Sequence, residues 1–142
     1  MFLGTHAPRL DEKGRLILPA KFREDLAGGL VITKGQDHTL VLWPRPAFVA
    51  HAETLRAGSQ TNERVRAYTR VLFASAHDDI PDKQGRITIP ASLREYAAIE
   101  RDCIVAGQDT RVEIWNPTTW ADYQAAQEQN FAELDGEVVP MA

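Results

Sequence analysis

The chain repeats itself, and that repeat constrains the fold more than any other feature. Asp11-Glu12-Lys13-Gly14-Arg15-Leu16-Ile17-Leu18-Pro19-Ala20-Lys21-Phe22-Arg23-Glu24 lies beside Asp82-Lys83-Gln84-Gly85-Arg86-Ile87-Thr88-Ile89-Pro90-Ala91-Ser92-Leu93-Arg94-Glu95 at an offset of 71. Asp, Gly, Arg, Pro, Ala, Arg and Glu are identical in the two blocks. Gly35-Gln36-Asp37 then matches Gly107-Gln108-Asp109, and Trp43 matches Trp115, now at an offset of 72, so one residue is inserted between the blocks. Two ordered blocks of agreement mark a tandem duplication. One copy is about 45 residues of short strands, too little to bury a core alone. The copies must therefore pack on each other or on copies from other chains.

Each copy predicts the same order of elements. In Asp-x-x-Gly-Arg, Asp suits the first position of a turn and Gly the fourth, where φ is positive. The pattern predicts a type I turn with a glycine bulge closing a hairpin. Leu16-Ile17-Leu18 and Ile87-Thr88-Ile89 leave the turns as short strands. Pro19 and Pro90 suit the first turns of short helices, where a missing N–H costs little; these run through Phe22 and Leu26, and through Leu93 and Ala97. A second hairpin is expected from Leu30 to Thr33 and Thr39 to Trp43, around Lys34 to His38. Ile104 to Ala106 and Arg111 to Trp115 repeat it.

Between the copies, Pro46 to Leu55 reads as a helix stopping near Gly58. A second, from about Asn62 to Ala74, sets Val65, Tyr68 and Leu72 at helical spacing, with Arg64 and Arg70 on the other face and Arg66 to one side. Asn116-Pro117 caps a third, Thr118 to about Leu134, carrying Trp120, Tyr123 and Phe131. Asp135 to Ala142 is expected to fray. The fold class is α+β, mainly β: a duplicated small β-barrel of interleaved hairpins with flanking helices. The expected divisions are 5–47 for the first repeat, 48–75 for connecting helices, 76–119 for the second repeat, and 120–142 for a C-terminal helix and acidic tail. Exposed edges and helices favour a homo-oligomer.

Composition narrows the class. Hydrophobic residues at 44% and charged residues at 25% are those of a folded protein. No apolar run approaches the ~18 residues of a membrane span, so no membrane partner is expected. The start, Met1-Phe2-Leu3-Gly4-Thr5-His6, lacks the basic and apolar regions of a signal peptide. Cys103 is the single cysteine and has no internal disulfide partner. The expected location is the cytoplasm. The net charge of −4 conceals an uneven spread. Residues 112–142 carry six acids and no Lys or Arg, leaving residues 1–111 with 16 bases against 14 acids, a net of +2. The body can thus offer a basic surface while the whole chain is acidic.

Catalytic patterns are missing. There is no Gly-x-x-x-x-Gly-Lys loop, no Gly-x-Ser-x-Gly elbow and no His-Glu-x-x-His helix. His77-Asp78-Asp79 with Asp82 could imitate a site for a hard cation. Lacking ligand spacing, these residues read better as solvated loop, with Asp82 serving its turn. Cys103 opens a strand and reads as a buried apolar residue. No catalytic residue, metal or cofactor is assigned, and the chain is not read as an enzyme.

The repeated turn is the candidate site. Arg15 and Arg86 each follow the turn glycine, with Lys13 in the first turn and Lys83 and Gln84 in the second. Such a tip sets cationic and amide donors on a narrow ribbon, which the ~12 Å major groove admits. Arg can bridge guanine O6 and N7, and Gln can do the same for adenine. Lys21, Arg23 and Arg94 suit phosphates. The competing reading has Arg15 and Arg86 pairing with Asp11 and Asp82 to hold the turns. Arg64, Arg66 and Arg70 read as a solvated helix face, and Trp43, Trp115 and Trp120 as core or oligomer contacts.

Met1-Phe2-x-Gly4 and Leu10-Asp11-x-Lys13-Gly14-Arg15-Leu16, with Pro19 and Arg23, resemble the N-terminus of the MraZ family of bacterial transcriptional regulators. Asp82-x-Gln84-Gly85-Arg86-Ile87-x-Ile89-Pro90-x-x-Leu93-Arg94-Glu95, then Glu113-Ile114-Trp115, is similar to that family's second half. The resemblance spans the chain to about Trp120. It implies two AbrB-like swapped-hairpin domains that bind short tandem DNA repeats upstream of the division and cell-wall gene cluster. It also implies ring-shaped homo-oligomers working on the nucleoid. By position it implies DNA contacts at Lys13 and Arg15, and at Arg86 with Lys83 and Gln84. The turn formers are Asp11, Gly14, Asp82 and Gly85. Two departures stand out. Pro81 replaces Leu10, which shortens or kinks the entering strand. Gln84 replaces Lys13, so the second tip is expected to be less cationic, and Arg15 ranks ahead of Arg86. A protein-interaction or antitoxin-like module with the same fold is the alternative.

Overall fold

The computed structural model describes residues 1–136, and the expected fraying beyond Asp135 falls largely on residues 137–142, outside the described residues. The elements in order are β1 (Thr5–His6), β2 (Arg15–Ile17), α1 (Ala20–Leu26), β3 (Leu30–Lys34), a short 3₁₀ turn (Gln36–His38), β4 (Leu40–Pro44), α2 (Arg45–Ala57) and α3 (Glu63–Ser75). Then come β5 (His77–Asp79), β6 (Arg86–Thr88), α4 (Ala91–Tyr96), β7 (Ile104–Gln108), β8 (Arg111–Trp115) and α5 (Pro117–Ala132).

The two copies interleave. Six strands form one antiparallel sheet in the order β1-β7-β8-β4-β3-β5. The hairpin of each copy, β3–β4 and β7–β8, meets the other where Leu40 pairs with Ile114 and Leu42 with Val112. Outside them, β1 of the first copy lies on β7 of the second, and β5 of the second lies on β3 of the first. Among the described residues β1 and β5 remain edges, so strand pairing there does not close the sheet into the expected barrel. The exchange is completed by a separate two-stranded ribbon in which β2 pairs with β6: Arg15 with Thr88, Leu16 with Ile87, and Ile17 with Arg86.

That ribbon corrects one expectation. Each Asp-x-x-Gly-Arg turn closes on itself through a single residue pair, and its exit strand then leaves for the other copy. The entering segment goes elsewhere, with the Leu10 amide donating to the Arg101 carbonyl at 2.7 Å. The physical reason is the core. Leu16 and Ile87 are the inward residues of the ribbon, and both are buried. They join one cluster containing Leu18, Phe22, Leu30 and Leu40 of the first copy with Ile89, Leu93, Val105 and Ile114 of the second. Neither copy alone supplies this core, so the pairing of copies occurs within the chain.

Local signals behave as the residues dictate. Pro19 and Pro90 precede α1 and α4 at φ −52° and −56°. Asn62 caps α3 by accepting from the amides of Arg64 and Val65. Asn116 caps α5 by accepting from Thr118 and Thr119. Leu72 of α3 is buried, with Val65 and Tyr68 half-buried beside it. α2 and α3 lie outside the sheet, where Val31, Val41 and Trp43 pack with Phe48 and Ala76. Trp115 is buried against Trp120 and Tyr123 of α5. One detail differs from expectation. His77-Asp78-Asp79 is not loop but strand β5, pairing Ile32 with His77 and Leu30 with Asp79. Cys103 is buried as expected, one residue before β7, with its thiol donating to the Pro8 carbonyl at 3.6 Å. Burial, aided by the Asp102 charge, pushes that thiol up to about 12.

Candidate nucleic-acid interface

The two turns are built alike. Asp11 Oδ1 accepts from the amides of Lys13 and Arg15, each at 2.9 Å, and Oδ2 accepts from Arg15 Nε at 2.6 Å. Asp82 Oδ1 accepts from the amides of Gln84 and Arg86, each at 2.9 Å, and Oδ2 from Arg86 Nε at 2.8 Å. The Gly14 amide donates to the Asp11 carbonyl at 3.0 Å, and the Gly85 amide to the Asp82 carbonyl at 2.9 Å. Gly14 sits at φ +74° and Gly85 at +76°, left-handed backbone that favours glycine. These contacts hold both carboxylates below the ordinary aspartate range. The backbone bond from Arg15 is the largest cause for Asp11, and that from Arg86 for Asp82, with the arginine side chains adding to each.

The bracing role weighed for the arginines is therefore present. It engages only one edge of each guanidinium. Among the described residues, Nε is the only guanidinium nitrogen of Arg15 and of Arg86 with a hydrogen-bond partner, which leaves the paired Nη nitrogens free to donate. Alternation along the ribbon sets Arg15 and Ile17 of β2 on the same outer face as Thr88 and Arg86 of β6, opposite buried Leu16 and Ile87. The two arginines are diagonal neighbours, with Cα atoms about 7–8 Å apart on such a lattice. The turns lie at opposite ends of the ribbon, since each precedes the first residue of an antiparallel strand. Lys13, Lys83 and Gln84 are exposed at those ends.

The charges of the two tips run opposite to the expectation. In the first turn Asp11 and Glu12 offset Lys13 and Arg15, a net of zero. In the second, Asp82 is outnumbered by Lys83 and Arg86, a net of +1. The second tip is the more cationic, because Lys83 stands where the first copy has Glu12.

Sequence reasoning assigned Arg23 and Arg94 to phosphates and missed where they pack. Arg94 Nε donates to the Ile89 carbonyl at 3.0 Å, and Arg23 Nε to the Leu18 carbonyl at 2.9 Å. Arg94 lies over Gly14 so closely that a Cβ there would stand 2.9 Å from its Cζ. Arg23 lies over Gly85, where a Cβ would stand 2.7 Å from its Nε. Both glycines, though at turn tips, are buried. The signal was available, since this arginine is one of the identities between the copies.

The residues weighed for a metal are engaged otherwise. His77 Nδ1 lies 2.9 Å from the Ser75 carbonyl, Asp78 pairs with Arg45 at 3.0 Å, and Asp79 accepts from the Ile80 and Thr88 amides. Among the described residues no three His, Cys, Asp or Glu side chains gather to hold a cation. No helix among them is long and apolar enough to cross a membrane.

Known sequences resemble this chain along its whole length. Residues 1–71 and 72–139 each match the family described as "MraZ protein, putative antitoxin-like". The protein named transcriptional regulator MraZ in Salinispora tropica is 60% identical over 140 residues, 99% of each chain. The protein of that name in Thermobifida fusca is 60% identical over 99% of this chain and 98% of its own. One in Corynebacterium diphtheriae is 53% identical over 96% of both. The duplicated turns, the exchanged strands and this agreement place the chain in the MraZ family, a family of transcriptional regulators and not of enzymes.

Proposed function

We propose that this regulator binds double-stranded DNA through the outer face of the β2–β6 ribbon and the two turns that flank it. Arg15 and Arg86 contact bases, with Lys13, Lys83 and Gln84 alongside. The observation that carries the reading is the half-used guanidinium. Asp11 and Asp82 fix one edge of each arginine, and the other edge has no partner among the described residues. A pre-oriented arginine loses little freedom on binding, and a two-stranded ribbon fits the major groove. The ligand is a set of short tandem repeats upstream of the division and cell-wall gene cluster, as the family resemblance implies. Several copies of the chain in a ring-shaped homo-oligomer would set several ribbons against successive repeats, adding weak contacts into firm binding. The site of action is then the cytoplasm, on the nucleoid. The divisions at 5–47, 48–75, 76–119 and 120–142 remain the proposed organisation, with both repeats contributing to one ribbon.

Fluorescence anisotropy with the DNA upstream of the chain's own gene tests this reading, using a scrambled fragment as control. Wild type should prefer the upstream DNA, and its affinity should fall steeply with salt as phosphate contacts displace counterions. Arg15→Ala and Arg86→Ala should each weaken binding roughly tenfold or more while the oligomer stays intact. Equal binding of the two fragments by all three proteins would sink the reading. The antitoxin-like wording of the family description favours a protein partner as the second reading, in which binding would ignore Arg15.

A further inference from the structure

We propose that Arg94 and Arg23 are positioning residues that serve the opposite repeat: Arg94 holds the first turn, with Lys13 and Arg15, and Arg23 holds the second, with Lys83, Gln84 and Arg86. The proposal rests on the reading that these turns contact DNA. Its geometry stands apart from that reading and occurs twice in the chain.

Each arginine closes a three-membered circuit between copies. The Ile89 amide donates to the Gly14 carbonyl at 2.9 Å, Arg94 Nε donates to the Ile89 carbonyl at 3.0 Å, and the Arg94 guanidinium lies over the Gly14 Cα. In the other half, the Leu18 amide donates to the Gly85 carbonyl at 2.9 Å, Arg23 Nε donates to the Leu18 carbonyl at 2.9 Å, and Arg23 lies over Gly85. The residue immediately after each glycine is the arginine proposed to meet bases. A shift of the glycine therefore moves Arg15 or Arg86 directly.

The chemistry explains why arginine stands at both positions. A guanidinium is flat and carries an N–H on its inner edge, so it can donate sideways to a carbonyl while its face covers a Cα. Lysine keeps the charge but has neither the plane nor the inner donor. Glycine is required beneath it for space as well as for positive φ. A turn tip is ordinarily open to solvent, and these two are roofed by a side chain from the other copy.

The test uses the full-length protein with Arg94→Lys and Arg23→Lys, combined singly with Arg15→Ala and Arg86→Ala. Amide resonances are the first readout and need no DNA. Arg94→Lys should move the signals of Gly14 and Arg15 and leave Gly85 and Arg86 in place; Arg23→Lys should do the reverse. Anisotropy at two salt concentrations is the second. Arg94→Lys should weaken DNA binding about fivefold with an unchanged salt slope, because the charge is kept. That loss should largely vanish in the Arg15→Ala background and persist in the Arg86→Ala background, since residues acting on one contact are not additive. The proposal fails if Arg94→Lys moves neither glycine, or if its effect merges with Arg86→Ala instead. It also fails if Arg94→Lys binds as wild type while Arg94→Ala lowers the salt slope, the mark of a direct phosphate contact. Should Arg94→Lys fail to fold, Arg94→Gln provides the same resonance comparison. Wild-type binding by Arg15→Ala would instead overturn the DNA reading, and the resonances would still decide the brace.

Discussion

The paired strands of the two copies and the helices α2, α3 and α5 are held by different physics. The strands share one apolar core to which both copies contribute, with Leu16, Leu18, Leu30, Ile89 and Ile114 wholly buried. By contrast α2 buries only Ala52, α3 only Leu72, and no residue of α5 is fully buried. Aromatic edges and a few polar bonds attach α2 and α3, among them Arg45 to Asp78 and the Lys34 amide donating to Ser75 Oγ. Trp43 stacks on His51 at 4.7 Å, Phe48 meets Trp43 and Phe73, and His51 Nε2 lies 3.0 Å from the Tyr68 hydroxyl. Most of the buried apolar surface therefore lies in the core that the two copies share. The helices keep apolar side chains such as Val49, Val71, Phe73 and Phe131 toward solvent, where they can be covered by other copies without disturbing the core.

Cutting the shared core should produce the largest effect. Leu16→Ala removes an inward residue of the ribbon and should destabilise the protein by about 3 kcal/mol in denaturant unfolding. A loss below ~1 kcal/mol would mean the ribbon is not part of the cooperative core. Gly14→Ala comes next, at roughly 2 kcal/mol, because it strains a positive φ and drives a methyl into Arg94. Adding Arg94→Ala should recover part of this cost but not all of it, since the backbone strain remains. Full recovery would assign the whole penalty to the collision.

The helical side should respond to pH. Burial first, and the Arg111 charge second, hold His51 below its usual 6.5. A histidine kept neutral in the fold contributes its full stability above pH 6.5. As the pH falls below that value the unfolded chain takes up a proton that the folded site resists, so stability declines. Wild type should therefore lose more Tm between pH 7.5 and 5.5 than His51→Gln does. Equal losses would assign the titration elsewhere. The smallest effect belongs to Phe131→Ser on α5, where the ring is 78% exposed. Unfolding of the monomer should change by less than about 0.5 kcal/mol. A larger shift that depends on protein concentration would place α5 in an interface between copies.

What the sequence disclosed follows the same division. Asp11, Gly14, Asp82 and Gly85 announce their turns because that chemistry is local, and Pro19, Pro90, Asn62 and Asn116 mark helix starts for the same reason. Thr5–His6 and His77–Asp79 were illegible as strands: two or three polar residues carry no periodicity, and their partners lie across the duplication. The pairing of β2 with β6 was hidden likewise, because Leu16 and Ile87 alternate correctly whichever strand they join. For the candidate site, the repeat exposed Arg15 and Arg86 at once. The positions of Arg23 and Arg94 depend on a fold that carries each helix to the other copy's turn, and a residue's own neighbours say nothing of that.

Joining both copies in one chain has a last consequence. Two identical chains related by a twofold axis would present the same turn at each end of their ribbon, and a ligand could lie on it either way round. Here one end carries Glu12 and Lys13 and the other Lys83 and Gln84. Rotating a bound molecule end for end would exchange a neutral turn for a positive one, so the ribbon has a sense of direction. A surface of this kind can tell head from tail in whatever lies along it, and copies arranged side by side with the same sense would match a ligand whose units all point one way.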